Sequence, residues 1–418
     1  MGGDDKVELT ARDQEVLRTL AKQWSEIAVL PEMGKRRDLW YKLNRLNMER
    51  PMVLIDQVCW HEMDVDGFLK CEVNDPYFRG VEAQMRRAIY EWKHMPVDMV
   101  FNPYLCLPRP VTNSGWGIDA EVDRLLNDNT SDVASQHMHN QIHGDEDIDR
   151  IQMPVITLDK GREAEIRQQA DALFAGITDY KMTGISMHLG IWDTISMWMG
   201  VTDCYLELVD RPEMIHRMME KLTAGLLSMI DQMNAQGLFD VYSNMCHCSH
   251  TFSDDLPPKE CNLEHPKSTD AWAFGLAQLF TSVSPQITDE FEVAYMQRVF
   301  PKFGAIYYGC CDRLDDRMDV IAKLPNIRKL SCSPWSECET FAEMMPGHCV
   351  MSNKPTPAFL ATGALDEGLV RADIRRTVTA AKAHNRNLEL ILKDISTVNY
   401  DPQKLWRWAE IAMEEVQR

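Results

Sequence analysis

The sequence lacks several features that would assign it to a class at once. No stretch reaches the roughly 18 consecutive apolar residues of a membrane helix, and the most apolar long segment, Met182–Trp192, stops at Asp193. Basic charge is scarce. The 44 Lys and Arg against 64 Asp and Glu leave a net charge of −20, spread along the chain. That balance excludes a general nucleic-acid binder and an anionic-membrane surface, both of which need clustered cations. No CxxC pair occurs among the 12 cysteines, so zinc-ribbon and thioredoxin-type readings are weak. Residues Met1–Lys6 carry no apolar export core and no myristoylation pattern, so reduced thiols and a cytoplasmic location are expected. No G-x-G-x-x-G follows a strand-like run, and no P-loop motif exists, which argues against dinucleotide and P-loop nucleotide sites.

What is present is an ordinary globular composition with 26 methionines, a residue that fills irregular gaps in a core. Helical periodicity covers residues 9–30, with Val16, Leu17, Leu20 and Trp24 on one face, and a shorter stretch near 38–46. Beyond Arg50-Pro51, short apolar runs alternate with helix-like segments. Eight such runs lie at 51–56, 98–101, 184–188, 239–243, 304–308, 327–331, 349–352 and 388–392. The pattern predicts an α/β protein, a distorted (β/α)8 TIM-type barrel, with a doubly wound sheet as the runner-up. The expected organisation is an N-terminal helical extension over 1–48 and a barrel over 49–418. An irregular insertion is expected at about 104–150. His137, His139 and His143 fall in that insertion beside Asp145, Glu146 and Asp147, and are read as a solvated loop.

In a barrel, chemistry gathers where strands end at their carboxyl side. Here that rim collects His188, Trp192 and Asp193, the run Cys246-His-Cys-Ser-His250, and Tyr308-Gly-Cys-Cys-Asp312. It also collects Trp335, Lys354 and the pair Lys393-Asp394. Extended alternation would put Cys246, Cys248 and His250 on one face of their run, as candidate thiolate and imidazole ligands. Beside Gly309, one of the two vicinal thiols should face the barrel mouth. Lys354 and Lys393 follow buried strands and are candidates for anchoring an anion.

These segments resemble the uroporphyrinogen decarboxylase superfamily, and within it the branch linked to corrinoid-dependent, methylcobalamin:coenzyme M type methyltransferases. The resemblance rests on Arg50-Pro51, Ser282-Val-Ser-Pro285 followed by Phe291-Glu292, and Tyr308-Gly-Cys-Cys-Asp312. It continues through Ser331-Cys-Ser-Pro-Trp335, Ser352-Asn-Lys-Pro-Thr-Pro-Ala358 and Leu392-Lys-Asp-Ile-Ser396. It implies a (β/α)8 barrel and methyl transfer between a small methylated compound and a corrinoid. The alternative it implies is a cofactor-free decarboxylase or lyase. The arginine-rich motif with which the decarboxylase clamps carboxylates is replaced here by Met-Val-Leu-Ile-Asp-Gln-Val-Cys after Pro51. The branch's zinc-binding His-x-Cys reads Tyr308-Gly309-Cys310, and its distal Cys falls at Leu392-Lys393-Asp394. No Asp-x-His-x-x-Gly cobalamin motif occurs, so the corrinoid is expected on a separate partner protein. The expected assignments are Tyr308, Asp312, Lys393 and Asp394 as catalytic residues. His188, Trp192, Asp193, Trp335 and Lys354 are expected at the substrate. Cys310, His250 and Cys248 are expected as ligands if zinc binds. A homodimer is a further expectation.

Overall fold

The computed structural model describes residues 9–126 and 134–418. Its centre is a sheet of seven parallel strands: β1 (Met52–Ile55), β2 (Met187–His188), β3 (Trp272–Gly275), β4 (Ala305–Tyr308), β5 (Ile327–Cys332), β6 (Val350–Asn353) and β7 (Leu388–Leu392). Their order in space is β1-β7-β6-β5-β4-β3-β2, so each strand from β2 to β7 lies beside the next in sequence and the last returns to the first. Helices cross between them, as parallel pairing requires.

The ring is not closed by a β ladder. At one edge the chain after Pro96 lies along β1, where the Asp98 N–H donates to the Val53 carbonyl at 2.8 Å. At the other edge Phe239 makes a single parallel bridge to Ile185. Side chains span the gap. Asn102 Nδ2 donates to the Ser243 carbonyl at 3.2 Å, and Asn244 Nδ2 donates to Asn102 Oδ1 at 3.1 Å.

Two of the eight expected strands are thus not ladder strands: 98–101 and 239–243 contribute one backbone contact apiece. The sequence reading also passed over β3, because Trp272-Ala-Phe-Gly275 is short and follows a Pro-rich loop. The region 104–150 carries short strands of its own. Tyr104–Pro108 pairs with Asp179–Thr183, and Val122–Leu126 pairs antiparallel with Ala134–Met138. His139, just past that second strand, meets Asp123 at 2.8 Å at the surface.

The first helix, Ala11–Ala28, is started by a reciprocal capping box between Thr10 and Asp13. The second, Pro31–Asn44, has Pro31 in its first turn. Both are pinned to the barrel edge by tryptophan. Trp24 Nε1 donates to the Asn102 carbonyl at 2.9 Å and Trp40 Nε1 to the Asp98 carbonyl at 2.8 Å. Their apolar faces join the same continuous core as the strands. Among the described residues no helix is long and apolar enough to cross a membrane. All twelve cysteines are free.

The barrel interior is unusual in one respect. TIM-type interiors are normally filled by branched aliphatic side chains. Here four neighbouring strands send Tyr307, Lys329, Ser352 and Glu389 into the interior, all fully buried. Lys329 Nζ lies 2.6 Å from Glu389 Oε2 and 2.6 Å from Ser249 Oγ. Tyr307 OH and Ser352 Oγ are 2.7 Å apart, and Lys354 Nζ donates to both.

Candidate functional site

Above that polar layer, the carboxyl ends of β2, β4 and β7 converge. Gly309 leaves β4 at φ +89, a conformation a side chain resists. The turn breaks strand alternation: Tyr307 faces the interior, Tyr308 faces the helical layer, and Cys310 again faces the mouth. A Cβ on Gly309 would lie 2.8 Å from Leu314 Cδ1 and 3.2 Å from Ser331 Cβ. Gly309→Ala is therefore expected to cost at least about 1–2 kcal/mol. It should also displace Cys310; the checks are the denaturation midpoint and the alkylation rate of Cys310. Unchanged values for both would show that the turn tolerates a side chain.

Cys310 is the focus of the site. Lys393 Nζ, at the end of β7, donates to its Sγ at 2.8 Å. His247 Nε2 lies 3.7 Å away and Cys311 Sγ 3.7 Å away. The Cys311 thiol, the His247 ring and the Lys393 ammonium hold the Cys310 thiol well below its ordinary 9.0, against the burial that would raise it. Cys310 is therefore a thiolate at neutral pH. Two other groups fix its loop: Asp312 Oδ1 accepts from the Cys310 N–H at 2.6 Å, and Ser331 Oγ donates to the Cys310 carbonyl at 2.7 Å.

His247 lies beside Cys310, although extended alternation set it on the opposite face from the candidate ligands Cys246, Cys248 and His250. The run 245–250 is not extended. Met245–Cys246 and Ser249–His250 pair as a tight antiparallel hairpin, with His247 and Cys248 at its turn. His247 adopts φ +52 there, a strained conformation for a histidine. Its ring stacks on Phe274 at 3.8 Å and an interplanar angle of 5°. Burial opposes its charge, but hydrogen bonds to Cys248 and Cys310 raise its pKa to about 9. His247 and Cys310 thus form an imidazolium–thiolate pair at the mouth.

Three further groups complete the rim. The backbone N–H of Asp56, just past β1, donates to the Leu392 carbonyl at 2.9 Å. Burial raises its carboxyl pKa, while His247 and Lys393 offset part of that. His188 Nε2 lies 3.5 Å from Asp193 Oδ2, and both side chains are partly open to solvent. Burial lowers the pKa of His188, with the neighbouring His247 charge acting in the same direction. Burial raises Asp193 to about 6, and Cys310 adds to the rise. Asp394 Oδ2 accepts from Cys311 Sγ at 3.0 Å and lies 3.0 Å from Lys393 Nζ.

Of the residues expected from sequence, the structure therefore brings together Cys310, Asp312, Lys393 and Asp394, with His188 and Asp193 at the same mouth. Others lie elsewhere. Trp192 is fully buried, packs on Phe280 and donates to the Phe291 carbonyl, so it is a core residue rather than a substrate wall. His250 turns both ring nitrogens to the backbone, Nδ1 to the Asn244 carbonyl and Nε2 to the Val100 N–H. Burial lowers its pKa to about 4. No lone pair is left for a metal. Cys248 is buried one layer down, its Sγ 3.4 Å from Tyr307 OH. Lys354 belongs to that same lower layer. Tyr308 points away from the mouth, its OH donating to Glu292 Oε1 at 3.4 Å. Trp335 is 71% exposed in the loop beyond β5.

One group of metal-type donors converges among the described residues: Cys310, Cys311 and Asp394, all within 4.8 Å of one another. Two thiolates and a carboxylate suit a zinc-like ion in chemistry. The arrangement does not suit it in charge. The Lys393 ammonium lies beside both Cys310 and Asp394, and Cys310 raises its pKa above the ordinary value despite burial. A divalent cation would have to displace that ammonium.

No protein-family model and no curated protein matches the chain. A solved methyltransferase from Methanosarcina mazei is similar in outline, with a TM-score of 0.48 and 10% identity over 92% of this chain and 98% of its own. Likeness at that level assigns neither site nor reaction.

Proposed function

We propose that the protein is a methyltransferase that moves a methyl group between a small methylated compound and a corrinoid carried by a partner protein. The observation that supports this best is the contact between His247 Nε2 and Cys310 Sγ, 3.7 Å apart at the open end of the barrel. The corrinoid supplies a cobalt centre that takes or gives the methyl group. What the chain must supply is an acid beside the leaving oxygen, nitrogen or sulfur, because such leaving groups depart poorly as anions.

His247 fits that role. It keeps its proton to about pH 9, its ring is oriented by stacking on Phe274, and Cys310 holds it in the charged form. Donation leaves a neutral imidazole and a protonated leaving group. Lys393 keeps Cys310 anionic through the cycle, and Asp394 in turn holds Lys393. The exposed Trp335 is then read as a contact for the docked partner rather than for the small substrate.

The decarboxylase alternative needs free cations around a substrate carboxylate. Each inward lysine already has polar partners: Lys393 with Cys310 and Asp394, Lys329 with Glu389, and Lys354 with Tyr307 and Ser352. The test is incubation with a reduced corrinoid protein and a panel of methyl ethers, methylamines and methyl thioethers, followed by absorbance of the methylated corrinoid. Methylation with at least one donor is expected. No methylation with any donor, together with carbon dioxide release from a carboxylated compound that is lost in Lys393→Ala, overturns the proposal.

A further inference from the structure

The two vicinal thiols at the mouth have unequal surroundings, and the reaction as written uses only one of them. Cys310 is buried, and its Sγ accepts from Lys393 Nζ at 2.8 Å. Cys311 is partly open to solvent, and its Sγ donates to Asp394 Oδ2 at 3.0 Å. One sulfur therefore faces an ammonium and is equipped to attack. The other faces a carboxylate and is equipped to give up a proton. The two sulfurs lie 3.7 Å apart. A disulfide bond is about 2.0 Å long, so closing the pair brings the sulfurs together by about 1.7 Å.

A bridge between chain neighbours has a particular character. Adjacent α-carbons are about 3.8 Å apart across a trans peptide, below the roughly 4.4–6.8 Å that disulfides usually span. Such a bond is strained, and strained bridges are readily reduced, as regulatory bridges must be. A second thiol pair, Cys332 and Cys338, flanks the loop that carries Trp335. Both of its sulfurs lie near Asn353 Nδ2, at 3.6 and 3.8 Å. Both are buried, and their hydrogen-bond partners, Asn353 and Thr377, are neutral. That pair has neither the ammonium nor the carboxylate that Cys310 and Cys311 have.

We propose that Cys310 and Cys311 are an oxidation site for hydrogen peroxide, and that they close to a vicinal disulfide that switches methyl transfer off. As regulation of the same site, this rests on the methyl-transfer reading above. The Cys310 sulfur attacks one peroxide oxygen, the O–O bond breaks, hydroxide leaves and Cys310 becomes a sulfenic acid. The Cys311 sulfur then attacks the Cys310 sulfur while Asp394 takes the Cys311 proton. The S–S bond forms as the S–O bond breaks, and a second hydroxide leaves. The two hydroxides take up the two thiol protons as water. Two thiols and one peroxide thus give one disulfide and two waters, the sulfurs losing the two electrons that the peroxide gains. Once bridged, the Cys310 sulfur carries no charge to hold His247 and Lys393, its neighbours in the reduced site.

Mass spectrometry reads the bridge without any activity. After treatment with hydrogen peroxide, the peptide that holds both cysteines should lose two hydrogens and regain them with dithiothreitol. In Cys311→Ser the bridge cannot form, so excess peroxide should leave Cys310 with two added oxygens that dithiothreitol does not remove. Asp394→Asn should slow closure at least about tenfold. The bridged protein should transfer methyl groups at least about tenfold more slowly than the reduced one, and dithiothreitol should restore the rate. That rate is read from the methylated corrinoid protein to the demethylated product of an active donor, a direction that needs no added reductant. Thiols left unbridged by peroxide, a bridge confined to Cys332 and Cys338, or oxygen added to Cys310 while Cys311 is present overturns the inference. So does closure unslowed in Asp394→Asn, or an unchanged rate in the bridged protein. If the bridge forms but the reduced protein methylates no corrinoid with any donor, it is the methyl-transfer reading that fails, and the chemistry of the thiol pair stands.

Discussion

Cys310→Ala is expected to lower methyl transfer by about 10²–10⁴-fold, the range for losing a positioned general acid. The loss is indirect. Without the thiolate, only Cys248 still opposes burial at His247, so the His247 pKa falls from about 9 and its proton is held less firmly at neutral pH. Serine at 310 should do no better, because a hydroxyl does not ionise in this range. The pH dependence has a defined sign. The depressed Cys310 pKa keeps the thiolate down into the acid range, and the raised His247 pKa keeps the proton up to about 9. Activity should therefore show a plateau through neutrality with an alkaline limb near the His247 value. Alkylation of Cys310 by iodoacetamide should be flat from about pH 6 to about pH 8, whereas an ordinary thiol gains nearly tenfold per unit there. Lys393→Met removes the 2.8 Å donor and should restore the ordinary rise. A steady rise in the unmodified protein would show that Cys310 is a neutral thiol.

The largest expected effect on stability lies one layer below. Lys329 and Glu389 are both 0% exposed and lie 2.6 Å apart. Removing one partner, as in Lys329→Met, strands a buried carboxylate and should cost about 3–5 kcal/mol. The double variant Lys329→Met/Glu389→Leu should cost less than the sum of the two single changes, since the two paired charges leave together and only Lys354 loses Glu389 as a counter-charge. Denaturant unfolding of the three variants decides this, and a double variant as unstable as the sum of the singles would contradict it. Acid should act through the same pair. Against the burial that raises it, Lys329 and Lys354 hold the Glu389 carboxyl below its ordinary 4.5 in the folded chain. A depressed carboxyl stabilises the fold above the unfolded value and loses that contribution as pH falls through the folded one. The contribution of Glu389 is therefore complete at neutral pH and lost only on strong acidification, and Glu389→Gln should flatten that part of the stability curve.

The sequence by itself determined the strand–helix alternation and, through it, the end of the barrel where chemistry collects. Short apolar runs followed by polar residues have a local cause, so Cys310, Asp312, Lys393, Asp394, His188 and Asp193 were legible as rim residues. Strand period is also local, and it misled wherever the chain left the extended state. At Gly309 a positive φ reset which side chain faces in, and at His247 a hairpin turn brought forward the residue that alternation had set aside. Trp192 and His250 shared the rim in sequence but not its role, because partners distant in the chain, the carbonyls of Phe291 and Asn244 and the N–H of Val100, fixed their directions. The buried charges show the same division. Lys329, Glu389 and Glu292 stand in plain view in the sequence. Whether such a group is paired with an opposite charge, as the first two are, or meets only a tyrosine hydroxyl, as Glu292 does, depends on what the other strands and helices bring to within about 3 Å. Only the tertiary structure decides that.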